Sequence, residues 1–176
     1  MRSMVSSELL AMKRFAAVLL LLGTSAVAQP PQPAPDPLQA NKTLVRRYIE
    51  EVLSANRMEK LDEMLGPDFT DSTPGAHGTE TGPDIIRAAQ GRIRALFPTV
   101  QYQVEDLVAE GDKVVARYTV RAATKEEEGV PSQKVEITGM TLFRIGDGRI
   151  REVWIINDQM ELYRQLGFTI QPPESH

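Results

Sequence analysis

Asp158 is the side chain that the sequence best places for proton transfer. It follows a run of alternating apolar and polar residues and lies four positions after Trp154, the only tryptophan. Because alternate residues of a strand point to the same side, an extended chain puts Trp154 and Asp158 on one face. A carboxyl group at the end of an aromatic-lined apolar hollow is suited to general acid or base catalysis. The alternative is that Asp158 caps a helix that begins at Gln159.

The dipeptide Asp147-Gly148 predicts which residues accompany this pair. Asp-Gly between two alternating segments is a strong signal for a two-residue hairpin turn. A turn of that length pairs Thr141 with Trp154 and extends the same face to Asp158. This pairing makes Asp158 a candidate catalytic residue, with the helix-cap alternative still open, and predicts Trp154 and Thr141 as substrate contacts.

Three other side chains are predicted as substrate contacts. Tyr48 lies on a predicted helix and Tyr118 on a predicted strand, and both offer hydroxyl groups to a ligand. Packing in the core explains both tyrosines equally well. Phe69 is predicted as a substrate contact just before Asp71, a candidate for the rim of the pocket.

The remaining candidate side chains have structural interpretations. Asp71 begins the tetrapeptide Asp-Ser-Thr-Pro, which is a turn signal. His77 lies in a loop between glycines and is interpreted as exposed. Glu152 lies between apolar residues of a strand, and we predict that it forms an ion pair with Arg144 or Arg151.

The composition excludes several classes of function. The 176 residues include no cysteine and two histidines, which excludes disulfides, thiolate metal sites, cysteine nucleophiles and three-histidine metal sites. The formal net charge of −4 argues against binding to a phosphate backbone. The sequence has no glycine-rich phosphate loop and no nucleophile elbow. We predict no cofactor, no metal and no nucleic-acid partner.

The amino-terminal segment has the organisation of a secretory signal. Lys13 and Arg14 precede an uncharged run, residues 15–28, that ends in Ala-Val-Ala. This run is shorter than the roughly 20 residues that span a bilayer as a helix. We expect residues 1–28 to be a signal peptide, with Met12 as an alternative start. The mature protein is then periplasmic or secreted and has no membrane partner.

The mature chain divides into three parts. Residues 29–38 are rich in proline, which predicts an extended spacer. Residues 39–169 are predicted as the folded domain, and residues 170–176 as a flexible tail.

The hydrophobic period changes near Val100, from about 3.6 residues to 2. Before this point it predicts three amphipathic helices, the first of them capped by Asn41, over residues 41–56, 58–65 and 83–97. After it, alternation predicts four strands and a closing helix over residues 159–167. Helices followed by an antiparallel meander predict an α+β domain with the helices on one face of the sheet.

Several stretches of this sequence resemble the SnoaL-like polyketide cyclase family, also called ester cyclases, of the nuclear transport factor 2-like superfamily. The most specific is the pattern Asp-Gly-x-Ile-x-Glu-x-Trp-x-x-x-Asp, which ends at Asp158 and precedes Gln-Leu-Gly at 165–167. Weaker matches cover residues 44–53, 69–71, 104–117 and 142–145. Together these stretches span about residues 41–167.

The resemblance implies a cone-shaped α+β barrel, in which a curved antiparallel sheet wraps around three amino-terminal helices and encloses an apolar pocket. It implies a small apolar or polyketide-like ligand. In members that act on polyketides, the Asp that matches Asp158 is the acid/base of a cofactor-free ring closure, which suggests a cyclase, isomerase or lyase. The alternatives are a non-catalytic periplasmic ligand-binding protein and an interaction module whose cone is filled by side chains.

The resemblance also implies a homodimer formed through sheet surfaces. The hairpin pattern supports this, because both of its faces are apolar. Four residues are predicted to lie opposite the Trp154 face: Met140, Leu142, Val153 and Ile155. A single sheet covered by helices on one side would expose them unless a second copy covered them.

Overall fold

The computed structural model describes residues 36–76 and 78–169. The predicted signal peptide, nearly all of the proline-rich spacer, the tail and His77 lie outside the described residues.

Five strands within the described residues form one curved, unclosed sheet. They are β1 (Leu65–Asp71), β2 (Thr99–Glu110), β3 (Lys113–Ala123), β4 (Lys134–Gly146) and β5 (Arg149–Asn157). Their order across the sheet is β1-β5-β4-β3-β2. Strands β2 to β5 form an antiparallel meander, and β1 pairs with β5 in parallel. The predicted α+β class is confirmed.

Along the chain, helical segments come before β1, between β1 and β2, and after β5. They are α1 (Pro37–Arg47) with its π-helical continuation Tyr48–Ser54, a 3-10 turn Met58–Lys60 leading into α2 (Leu61–Met64), α3 (Asp84–Leu96) and α4 (Gln159–Gln165). None of the helices in the described part of the chain has the length and apolar character needed to cross a bilayer.

The first helix begins earlier than predicted. The carboxylate of Asp36, not the side chain of Asn41, caps it by accepting a hydrogen bond of 3.0 Å from the backbone N–H of Leu38. Pro37 occupies the first turn, where its fixed φ suits a helix and its missing N–H removes no helical bond.

Strand β1 was not predicted. The predicted second helix runs to Leu65, whereas Leu65 already begins the strand. β1 lies at the edge of the sheet, where a proline removes no hydrogen bond that the sheet requires. Leu65 and Phe69 of this strand are buried in the core.

The core lies between the helical segments and the inner face of the sheet, which we define as the face that carries Phe143. Its largest fully buried side chains are Phe69, Phe143, Ile49, Leu61, Met64, Leu65, Ile150, Val45, Val52, Val114 and Val153. Within residues 36–76 and 78–169, the helices therefore cover one side of the sheet only.

One inserted residue in β5 changes the pairing of the last hairpin. Ile150 pairs with Ile145, and the next pair joins Glu152 to Arg144. Arg151 thus has no partner in β4, which makes it a β-bulge. Beyond a bulge, every following residue points to the opposite face from the one that uninterrupted alternation predicts.

The predicted pairing of Thr141 with Trp154 is therefore wrong. Trp154 pairs with Leu142, and Thr141 pairs with Ile155. Val153 and Ile155 consequently belong to the inner face, on which the predicted pairing places Trp154. Trp154 lies on the outer face, which none of the described helices covers.

Candidate functional site

The predicted site residues do not converge on one place. Tyr48, Phe69, Tyr118 and Thr141 are buried in the interior. Trp154 is half-buried and points to the other side of the sheet. The interior residues and Trp154 thus cannot contact the same small molecule.

A polar cluster lies on the inner face of the sheet. The hydroxyl of Tyr118 lies 2.8 Å from Oγ1 of Thr141 and donates a 3.3 Å hydrogen bond to Oδ1 of Asn157. Burial raises the pKa of Tyr118 to about 12, although the hydrogen bond with Thr141 opposes the shift. The phenol therefore stays neutral near pH 7 and keeps its proton for hydrogen bonding.

Gly139 makes room for this cluster. Tyr118, Gly139 and Asn157 lie in one row across β3, β4 and β5. A Cβ atom at Gly139 would lie 2.5 Å from Cε2 of the Tyr118 ring, and closer still to Oδ1 of Asn157. The absence of a side chain lets the ring lie across β4 and reach its partners.

A cavity of about 130 Å³, which we call the mouth cavity, lies between α3, the inner face of the sheet and the start of α4. Three polar side chains, Tyr102, Asn157 and Gln159, interrupt walls that are otherwise apolar. The lining residues are Ile93, Phe97, Val100, Tyr102, Val120, Ala122, Val135, Ile137, Asn157, Gln159 and Leu162. Apolar walls with a few polar groups are typical of sites for small organic molecules.

A larger cleft of about 470 Å³ lies between β1 and α3. Phe69 and Ile85 contribute apolar surface to it, whereas Asp71, Glu80 and Arg92 line it with charged groups. Oδ1 of Asp71 accepts a 2.9 Å hydrogen bond from the backbone N–H of Thr73, which confirms the predicted turn. The mixed charges make this cleft the poorer match for an apolar ligand.

Tyr48 lines neither of these two spaces. Its ring packs edge to face against Phe143, with 5.9 Å between the ring centroids. Burial raises its pKa, and the nearby Tyr102, Tyr118 and Asp71 reinforce the shift. The structure thus places Tyr48 in the core beside the polar cluster.

Asp158 is exposed and caps α4. Its Oδ1 accepts a 2.9 Å hydrogen bond from the backbone N–H of Glu161, while its own N–H donates to the carbonyl of Thr138. The strand ends one residue earlier, so Asp158 does not continue the face of Trp154. Its two neighbours in sequence, Asn157 and Gln159, both line the mouth cavity.

Glu152 forms the predicted ion pair. Its carboxylate accepts hydrogen bonds from Oγ of Ser72 at 2.5 Å and from Nε of Arg144 at 2.8 Å. The Ser72 bond and the Arg144 charge lower the pKa of Glu152, although desolvation opposes them. The prediction of an ion pair with Arg144 is confirmed. In the part of the chain that the structure describes, no three His, Cys, Asp or Glu side chains form a metal-binding cluster.

The profile of the family described as SnoaL-like polyketide cyclase matches residues 43–166. The chain belongs to this family. The match covers nearly the whole segment that the sequence resemblance identified, and the solved structures that are similar to the chain place it in the nuclear transport factor 2-like superfamily. No curated protein sequence matches the chain.

Two Streptomyces proteins illustrate the similarity to solved structures. IdmH of Streptomyces antibioticus, a proposed polyketide cyclase, is 28% identical with a TM-score of 0.64, and the alignment covers 73% of this chain and 99% of IdmH. TsrD of Streptomyces laurentii is 27% identical with a TM-score of 0.62, covering 73% and 96% of the two chains.

A third relative has been assigned a different chemistry. AclR of Streptomyces galilaeus, a proposed hydroxylase, is 23% identical with a TM-score of 0.60, and the alignment covers 78% of this chain and 91% of AclR. At that identity the likeness shows the fold alone. The function must therefore be argued from the site.

Tyr102 and Asn157 are site residues that the sequence patterns did not predict. Tyr102 alternates with Val100 and Val104, so its face was predictable, but nothing distinguished it from a core residue. Asn157 reaches the inner face only because of the bulge at Arg151, which the alternation pattern does not reveal.

Proposed function

We propose that the mouth cavity binds a small, largely apolar molecule and that this is the function of the domain. The observation that carries the proposal is the composition of the cavity, which is apolar except for a few polar side chains, Tyr102 and Asn157 among them. Asn157 connects the cavity to Tyr118 and Thr141 through the polar cluster. A polyketide-like ligand, with an apolar body and oxygen substituents, matches this distribution.

Blocking each space in turn tests the proposal. Ala122 lines the mouth cavity and Ala89 lines the charged cleft, so Ala122→Phe and Ala89→Phe are matched variants. Toluene is a suitable probe, because a cavity of about 150 Å³ holds benzene in another protein. We expect Ala122→Phe to abolish toluene binding, measured by calorimetric titration, and Ala89→Phe to preserve it. The reverse result would move the site to the charged cleft.

In the catalytic form of this proposal, Asp158 serves as the acid/base of a cofactor-free cyclase, isomerase or lyase. Its position between two residues of the cavity wall supports this role. Its exposure and its hydrogen bond to the α4 backbone favour the second candidate, a non-catalytic ligand-binding protein. Substitution of Asp158 by Asn and by Ala separates the two forms.

We also propose that the mature protein is exported and begins at Gln29. The basic pair before a short apolar run and the Ala-Val-Ala sequence support this. Amino-terminal sequencing of the protein recovered outside the cytoplasm tests it. An intact segment found in the membrane fraction would contradict the proposal.

A further inference from the structure

The three polar side chains of the mouth cavity differ in how much of their hydrogen-bonding capacity the protein uses. Gln159 is exposed at the start of α4. The phenol of Tyr102 hydrogen-bonds the side chain of Gln90. Asn157 is half-buried, and its amide is divided between two roles. The oxygen is bonded to the protein, whereas the nitrogen is not.

The oxygen of the Asn157 amide is held by the polar cluster. The hydroxyl of Tyr118 donates its 3.3 Å hydrogen bond to Oδ1 of Asn157, and Oγ1 of Thr141 lies 2.8 Å from the same hydroxyl. Because a phenol has one proton and gives it to Asn157, the hydroxyl of Thr141 donates to Tyr118. The bonds run in one direction, from Thr141 through Tyr118 to Asn157, and they fix which branch of the amide is the oxygen.

The nitrogen of the same amide is open to a ligand. The bond from Tyr118 is the one that the Asn157 side chain forms with the described residues. The described side-chain atoms that are both buried and unpaired belong to Gln90 and Arg94, so Nδ2 of Asn157 is accessible to a water-sized probe. Asn157 lines the mouth cavity, and an amide nitrogen carries two donors and no acceptor. The protein thus offers the cavity a hydrogen-bond donor in a fixed orientation.

We propose that Asn157 recognises a carbonyl oxygen on an otherwise apolar ligand of the mouth cavity, through a hydrogen bond from Nδ2. A ketone or ester oxygen accepts hydrogen bonds and donates none, so it matches a donor among apolar walls. A hydroxyl group would also bring a proton, and Oδ1 of Asn157 is already engaged by Tyr118. Tyr118 and Thr141 are positioning residues, because they hold the amide in this orientation. The inference rests on the proposed function and deepens it by naming the polar group of the ligand.

Cyclohexanone and methylenecyclohexane are matched probes for this inference, because they differ by an oxygen in place of a methylene group of similar size. We expect Asn157→Leu to weaken cyclohexanone binding roughly tenfold in calorimetric titrations and to leave methylenecyclohexane binding within about twofold, the effect of one hydrogen bond. Gln101→Leu is the matched control, because it also replaces an amide by leucine and Gln101 is exposed on β2, outside the cavity wall. It should change neither affinity.

A second variant leaves the polar cluster intact. Asn157→Asp keeps an oxygen that accepts the bond from Tyr118, but it replaces the donor by a second carboxylate oxygen, which repels a carbonyl oxygen. It should lose at least as much of the preference for cyclohexanone as Asn157→Leu does.

The positioning role of Tyr118 has its own test. Tyr118→Phe removes the hydroxyl that fixes the amide, so it should weaken cyclohexanone binding relative to methylenecyclohexane binding by roughly threefold, a coupling typical of residues in one hydrogen-bond network. The same substitution in the Asn157→Leu background should leave the ratio of the two affinities unchanged. An equal change of this ratio in both backgrounds would overturn the positioning role, because Tyr118 would then act independently of Asn157.

The ratio of the two affinities decides the outcome. An unchanged cyclohexanone-to-methylenecyclohexane ratio in either variant of Asn157 would overturn the inference, and a loss of this preference in Tyr102→Phe instead would assign the carbonyl group to Tyr102. Methylenecyclohexane binding that Ala122→Phe abolishes would leave the proposed function standing in that case. Failure of both probes to bind the wild-type protein would overturn the proposed function and this inference together.

Discussion

The inner and outer faces of the hairpin formed by β4 and β5 differ in what covers them. Phe143 and Val153 on the inner face are each 1% exposed, whereas Met140 and Ile156 on the outer face are 48% and 74% exposed. Both faces are apolar, so composition does not distinguish them. The bulge at Arg151 assigns the residues of β5 to their faces, and it places Asn157 at the site and Trp154 away from it.

The largest expected effect separates two adjacent residues of β4. Phe143→Ala should lower the free energy of unfolding by about 3–5 kcal/mol, because it leaves a cavity in the packed core. Leu142 is half-buried on the outer face. Leu142→Ala should therefore lower the free energy of unfolding by less than half as much. Urea unfolding of both variants measures the difference. Equal losses would mean that the two faces are equally covered in solution.

A smaller effect tests the row of Tyr118, Gly139 and Asn157 on the inner face. Gly139→Ala should destabilise the protein by about 1–3 kcal/mol, because the added Cβ overlaps the Tyr118 ring and the Asn157 amide. Gly91→Ala is the matched control on α3, where a Cβ meets no atom within 4 Å. That control should stabilise the helix by up to about 1 kcal/mol. A neutral Gly139→Ala would contradict the packing of Tyr118 across β4.

The outer face is the surface on which we expect a second copy to bind. Val108, Val115, Leu142 and Trp154 form one apolar row across four strands, with Met140 and Ile156 beside them. Met140 and Leu142 lie on this face as predicted, whereas the prediction for Val153 and Ile155 was wrong, because both face inward. Monomeric proteins rarely expose a large contiguous apolar surface.

Sedimentation at micromolar concentration should therefore give about twice the monomer mass. Ile156→Arg should weaken association at least about tenfold, equivalent to roughly 1.4 kcal/mol, because it places a charge in the interface. Val130→Arg is the control, since Val130 is an exposed apolar residue outside the sheet. A wild-type protein that sediments as a monomer would contradict the prediction.

Local patterns predicted most of the elements of this fold. The alternation between Arg149 and Asn157 and the Asp147-Gly148 turn are properties of neighbouring residues, and the predicted strand matches β5. Strand β1 escaped prediction because Gly66-Pro67 has an equally good local interpretation as a helix end. Only the pairing with β5 makes this segment a strand.

The site was harder to predict because its geometry depends on contacts distant in sequence. Arg151 is held outside the regular pairing by the carboxylates of Asp68 and Asp147 and by the carbonyl of Gly146. Asp68 is far from Arg151 in sequence, so no local pattern predicts the contact between them.

Asp158 belongs to neither face, and its substitution carries the smallest expected change in stability. It lies where β5 ends and α4 begins, with its carboxylate bonded to the backbone of Glu161. Asp158→Asn should preserve stability, because asparagine is an equally good cap, whereas Asp158→Ala should lose about 1 kcal/mol. Asp36 caps α1 in the same way, so Asp36→Ala is a matched control with a similar loss.

The same pair of variants decides between catalysis and binding. If Asp158 is an acid/base, Asp158→Asn should abolish turnover of any substrate found, because an amide cannot exchange the proton, and it should leave ligand affinity and the unfolding midpoint unchanged. If Asp158 is only a cap, Asp158→Asn should keep full turnover and Asp158→Ala should lose stability alone. Turnover and urea unfolding, measured on both variants and on Asp36→Ala, separate these cases. Full turnover in Asp158→Asn would exclude Asp158 as the acid/base and leave it as the cap of α4.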